Sequence, residues 1–110
     1  MEIKTALSSF SALSQQTRLD VFRLLIKAGA DGLLAGEWGE QLDVRQNTMS
    51  ANLSVLLNAG LVRNERQGRT IRYFADFDAV RGLLVFLMED CCGGRPELCQ
   101  PIIDELACAC

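Results

Sequence analysis

From Arg45 to Ala75 the sequence reads RQNTMSANLSVLLNAGLVRNERQGRTIRYFA, and its period changes halfway. Over Arg45 to Asn58, the residues Met49, Leu53 and Leu56 recur at helical spacing and Gly60 follows, which predicts an amphipathic helix closed by a glycine. Beyond it, Leu61 to Arg66 and Thr70 to Ala75 are rich in β-branched and aromatic residues. Joined through Gln67-Gly68-Arg69, they predict a hairpin with glycine at its turn. A short helix fits Gly36 to Leu42, separated from the next by only Asp43 and Val44. Such a pair of helices around a tight turn lets the second stand out from the body and enter a major groove.

Upstream, Leu7, Phe10 and Leu13 mark one helix, and Leu19, Phe22, Leu25 and Ile26 mark a second, over Gln15 to Ala28 and ending at Gly29. Gly32 and Gly36 bracket a loop. Three helices followed by a hairpin predict a mainly α fold with a small β-hairpin wing, a winged helix-turn-helix. Downstream, Asp76 to Asp78 cap a helix over Ala79 to Asp90 that is apolar nearly all the way round. A terminal helix of this kind cannot be enclosed by its own domain, so the surplus face predicts a homodimer through the same helix of a second copy. Residues 1–90 then form the DNA-binding and dimerisation domain, and 91–110 a cysteine-rich tail.

The 110 residues, 49% of them apolar and 23% charged, suffice for one folded domain. No run approaches the roughly 18 apolar residues of a membrane span, and the N-terminus lacks the basic start and apolar block of a signal peptide. A soluble cytoplasmic protein is expected, with no membrane partner. The chain has five cysteines and no histidine. That removes the usual general base, the Ser-His and Cys-His nucleophilic pairs and all histidine-containing zinc sites, so neither an enzyme nor an organic cofactor is expected.

The net charge of -3 is unevenly distributed. Arg45, Arg63, Arg66, Arg69 and Arg72 stand with one acid, Glu65, whereas the rest of the chain carries six basic and thirteen acidic residues. A basic patch on an acidic body meets phosphate in one orientation, and double-stranded operator DNA is the expected partner. With Met49, Leu53 and Leu56 inward, the outward positions of that helix are Gln46, Asn47, Ser50, Ala51 and Ser54. Small and amide side chains approach base edges closely, and amides both donate to and accept from adenine. Arg45, Arg66, Arg69 and Arg72 are the candidate phosphate contacts.

The runs Phe10 to Leu19 (FSALSQQTRL), Val44 to Leu56 (VRQNTMSANLSVL), Ala59 to Val62 (AGLV) and Gly68 to Tyr73 (GRTIRY) resemble the ArsR/SmtB family of winged-helix repressors. The resemblance spans roughly residues 5 to 90. It implies a homodimer on a near-palindromic operator, released when a metal ion or metalloid binds. The family often has a basic or imidazole residue where this chain has Ala51, Asn52 and Ser54, so more of the phosphate attraction falls to Arg45 and the wing.

All five cysteines, Cys91, Cys92, Cys99, Cys108 and Cys110, lie in the last twenty residues. The family's metalloid site on the helix before the turn is absent, because Leu34 to Glu40 holds no cysteine. What remains resembles the arsenic-responsive subgroup, in which a vicinal cysteine pair after the last helix and a third cysteine beyond it bind trivalent arsenic or antimony. The resemblance implies Cys91, Cys92 and Cys99 as ligands of As(III) or Sb(III), with Cys108 and Cys110 as possible additions. Trivalent arsenic takes three thiolates in a pyramid, whereas structural zinc takes four ligands in a tetrahedron. Gly93 and Gly94 allow the chain to reverse, and Pro96 stiffens a loop that brings Cys99 back over the pair. Sitting past a helix C-terminus, beside Glu89 and Asp90 with Arg95 as the nearby compensation, the free thiols are expected to be protonated and to lose protons on binding. A disulfide framework is not expected in a reducing cytoplasm. Two alternatives stay open, a redox-sensing repressor using the same cysteines and a thiol carrier or oxidoreductase. The basic wing argues against the second, which has no use for it.

Overall fold

The computed structural model describes residues 1–37, 42, 45–89 and 95–107, and the backbone alone at 35, 46, 47 and 107. Five α-helices and three strands stand in the described chain: α1 Ile3–Leu13, α2 Gln16–Ala28, β1 Leu33–Leu34, α3 Gln46–Asn58, β2 Val62–Gln67, β3 Thr70–Ala75, α4 Phe77–Met88 and α5 Pro96–Ala107. Single 3-10 turns at Gly29–Asp31 and Ala35–Glu37 flank β1. The strands form one antiparallel sheet in the order β1-β3-β2, so the architecture is a winged helix-turn-helix, mainly α with a small wing.

Two of the helices begin at a side-chain cap. Gln15 lends its side-chain oxygen to the Arg18 amide at the start of α2, and Asp76 does the same for Ala79 at the start of α4. Gly29, at φ 59°, turns the chain out of α2, and Gly60, at φ 78°, follows α3. The core lies where α1, α2 and α3 meet the base of the hairpin. Val21, Leu25, Leu56 and Leu61 are sealed from solvent, with Phe22, Met49, Leu53, Val62 and Ala75 packed around them. The inward stripe of α3 is thus the expected Met49, Leu53 and Leu56.

Three features differ from the sequence reading. The loop expected between Gly32 and Gly36 contains β1, whose Leu33 and Leu34 pair with Tyr73 and Arg72 of β3. The helix expected over Gly36 to Leu42 falls mostly outside the described residues, which hold the turn at Ala35–Glu37 and a helical Leu42. The tail, expected to loop back after Pro96, instead forms α5 from that proline onward. Proline suits the first helical position, where its missing amide hydrogen has no partner to lose and its φ is already helical, and Glu97 adds an acid to the first turn.

Gly32 admits β1 to the sheet. Its φ is 62°, and a β-carbon there would run into the Tyr73 carbonyl oxygen and lie 2.7 Å from the Phe74 ring. Gly32→Ala is therefore expected to cost about 2–3 kcal/mol in a denaturant titration. Gly36→Ala, with no atom within 4 Å of the new carbon, should stay within about 0.5 kcal/mol of the parent.

Candidate nucleic-acid interface and thiol site

The buried stripe of α3 leaves Ser50, Ala51 and Ser54 on the exposed side of that helix. Gln46 and Asn47 occupy its first turn, and Arg45, exposed, is the extended residue just before it. The side chains of Gln46 and Asn47 lie outside the described atoms. The exposed face is small and uncharged, with room for close approach to base edges.

The hairpin carries the arginines away from the body. Only Val62 of β2 is buried, whereas β3 ends in buried Phe74 and Ala75, so the wing is rooted at one end and free at the other. Gln67 pairs with Thr70, leaving Gly68 and Arg69 as the two-residue tip, with Gly68 at φ 66° as that tight turn requires. Arg69 and Arg66 are exposed there, with Arg66 Nε donating to the Gly68 carbonyl at 3.4 Å. Arg63 stacks on the Phe74 ring, 4.3 Å from its centroid, which leaves the cation on the outer surface of the hairpin.

Arg72 has a different position from its neighbours. Its Nε donates to Gln67 Oε1 at 3.1 Å and its Nη1 to the Asp31 carbonyl at 3.0 Å, tying β3 to the turn after α2. Counting charges along the sequence cannot reveal this, because the acceptor is a backbone oxygen 41 residues away. Arg69→Ala is expected to weaken binding to all DNA sequences alike and to reduce the salt slope by about one. Arg72→Ala should instead lower thermal stability, by about 1 kcal/mol, through the hydrogen bonds it removes. Gel shifts at several salt concentrations and thermal melts separate the two effects.

Arg18, within the run Phe10 to Leu19, reaches the recognition helix from behind. Its Nε donates to the Ala12 carbonyl at the end of α1, at 2.6 Å, and its Nη1 to Asn52 Oδ1 on the buried side of α3, at 3.4 Å.

Of the candidate metalloid ligands, Cys99 alone is described; Cys91, Cys92, Cys108 and Cys110 lie outside the described residues. Cys99 sits in the first turn of α5, is 8% exposed and is disulfide-bonded. The expectation of no disulfide is corrected at this residue. Cys99 thus stands in the opening turn of a helix and not in a reversing loop.

Cys99 lies in a groove of about 230 Å³ between α4 and α5, lined otherwise by Leu84, Val85, Met88, Ile102, Ile103 and Leu106. Among the described residues Cys99 is the one cysteine on these apolar walls, which offer no oxygen ligand to a hard ion. The apolar surface continues onto the outer sides of the helices. Val85 is 62% exposed on α4 and Ile3 64% on α1, with Leu7, Leu84, Leu87 and Leu98 also open.

Comparison with known proteins gives a consistent picture. A family described as a helix-turn-helix domain matches residues 13–65. The chain is 31% identical to an HTH-type transcriptional regulator, YbzH, of Bacillus subtilis (strain 168), over 71% of this chain and 90% of that protein. It is 38% identical over 63 residues, 57% of this chain and 48% of the relative, to a Halobacterium salinarum protein named as an arsenical resistance operon repressor. Among solved structures, an ArsR-like transcriptional regulator from Rhodococcus sp. RHA1 superimposes with a TM-score of 0.70. It shares 26% identity, over 94% of this chain and 93% of that one.

Proposed function

The chain belongs to the ArsR family of winged helix-turn-helix transcriptional regulators, and from that membership we propose an arsenic-responsive repressor. It binds operator DNA as a homodimer and leaves when thiolates of the tail capture trivalent arsenic or antimony. DNA is the partner that the fold itself implies: α3 presents a small polar face and the wing presents Arg66 and Arg69 beside it. The homodimer is supported by the open apolar surface on α1, α4 and α5. Exposed apolar residues in this number are normally covered in a folded protein, and a second copy presents the same ones.

The observation that carries the metalloid reading is Cys99, buried against the dimer helix and bonded through its sulfur to another cysteine. Every other cysteine of the chain is also in the tail. Once a cellular thiol reductant has returned that bond to two thiols, the same sulfurs are free to lose protons and hold one ion, and Cys91, Cys92 and Cys99 are the proposed ligands. Bound arsenic would tie the segment after α4 to the start of α5. The cysteines would supply the soft donors, and the apolar groove shelters Cys99.

The disulfide also favours a second reading, in which oxidation itself is the signal. Two thiols then give up two electrons and two protons to an oxidant and form the bond at Cys99. Gel shifts on the chain's own promoter fragment distinguish the two. Release by micromolar arsenite or antimonite in the presence of excess monothiol reductant supports the metalloid reading. Release by peroxide or diamide, reversed by reductant, with none by arsenite, supports the redox one.

Among the described residues no helix is long and apolar enough to cross a membrane. The proposed place of action is the cytoplasm, where operator DNA is found.

A further inference from the structure

Arg18 links three helices whose shared core is mainly apolar. It belongs to the first turn of α2, its Nε reaches the Ala12 carbonyl near the end of α1, and its Nη1 reaches Asn52 Oδ1. Ala12 is among the last residues of α1, whose carbonyls have no partner within the helix, and a cation suits that negative dipole end. Asn52 is 8% exposed on α3, facing inward between Met49 and Leu56. No carboxylate among the described residues pairs with Arg18, so its directed bonds are these two. α1 in turn packs on α4, where Met1 lies 3.2 Å from the place a β-carbon on Gly82 would take.

We propose that Arg18 is a positioning residue for the DNA-reading helix. By linking the Ala12 carbonyl to Asn52, it fixes the direction in which Ser50, Ala51 and Ser54 project, and so sets preference for operator over random DNA. It does this without touching a phosphate. Apolar packing alone tolerates small rotations of a helix, because the contacts are non-directional. A charged fork holding one carbonyl and one amide at fixed angles does not. The inference rests on α3 being the helix that reads DNA, but its first test does not require DNA at all.

That test is hydrogen exchange of the free protein with Arg18→Lys, which keeps the charge and loses the fork, and with Asn52→Ala. Both should speed exchange in α3 by about tenfold while the β2–β3 hairpin stays as protected as in the parent. On DNA, both should lower the ratio of operator to random affinity by roughly tenfold with the salt slope unchanged, and the double variant should be no worse than either single one. Asn52→Asp, which still offers an oxygen to the same guanidinium, should retain both properties. Unchanged exchange in α3, additive losses in the double variant, or a salt slope reduced by about one in Arg18→Lys would each overturn the proposal. If the parent itself fails to distinguish operator from random DNA, the regulator reading falls, and the exchange data still decide whether Arg18 holds α3.

Discussion

Serine in place of Cys99 is expected to leave operator binding intact and to abolish release by arsenite. In the proposed site, arsenic held by three thiolates would close a loop between the segment after α4 and the first turn of α5, whereas two thiolates would hold the ion without joining those segments. A serine hydroxyl does not restore the third bond, being hard and un-ionised at neutral pH. The proposed DNA contacts are elsewhere, since Ser50, Ala51, Ser54 and Arg69 belong to α3 and the wing, so the unliganded affinity should not change. Release needs the metalloid to favour the non-binding arrangement by only about 1–3 kcal/mol. Losing the loop removes that preference altogether. Cys91→Ser and Cys92→Ser should behave the same way, and Cys108→Ser and Cys110→Ser should respond as the parent does. Gel shifts with arsenite under reductant read the outcome. A response lost with Cys108→Ser or Cys110→Ser but kept with Cys99→Ser would move the third ligand, and normal responses from all five would remove the tail as the sensor.

The second large effect concerns stability. Leu56 is completely buried, on the inner face of α3 within the cluster that includes Val21, Leu25 and Leu61. Leu56→Ala should cost about 2–5 kcal/mol, the lost transfer energy plus the cavity it leaves. For a domain whose whole stability is on the order of 5–15 kcal/mol, that is enough to populate unfolded chain at growth temperature. The melting temperature should fall by roughly 10–20 °C, measured by circular dichroism at fixed protein concentration, since a dimer's melting depends on concentration. Val55→Ala, one position away on the exposed side at 38% exposure, is the matched control and should shift little. Equal shifts for the two variants would mean that the inner face of α3 is misassigned.

What could be read in the sequence follows from which residues carry a period. Met49, Leu53 and Leu56 repeat at helical spacing and pack inward as that spacing demands, and the turn at Gly68 sits between runs long enough to show strand character. β1 is two residues long, too short for any period to appear, and it is held by backbone pairing with β3. The helix after Pro96 is masked in the sequence by Pro101 within it, although Pro96-Glu97 is itself a helix-start signal. At the DNA-binding face, the arginines could be counted but not aimed. Arg69 projects from the tip of the wing, whereas Arg72 is turned back to a backbone oxygen and Arg18 reaches across to α3. Directed side-chain bonds between distant segments leave no local pattern in a sequence.

The central claim, that metalloid and operator oppose each other through this one protein, is tested most directly by measuring arsenite affinity with and without saturating operator DNA under reductant. Linkage requires operator to weaken arsenite binding by the same factor by which arsenite weakens operator binding, and a factor of at least about tenfold is expected, with one arsenic bound per protomer. Equal arsenite affinity in the presence and absence of operator would contradict the account.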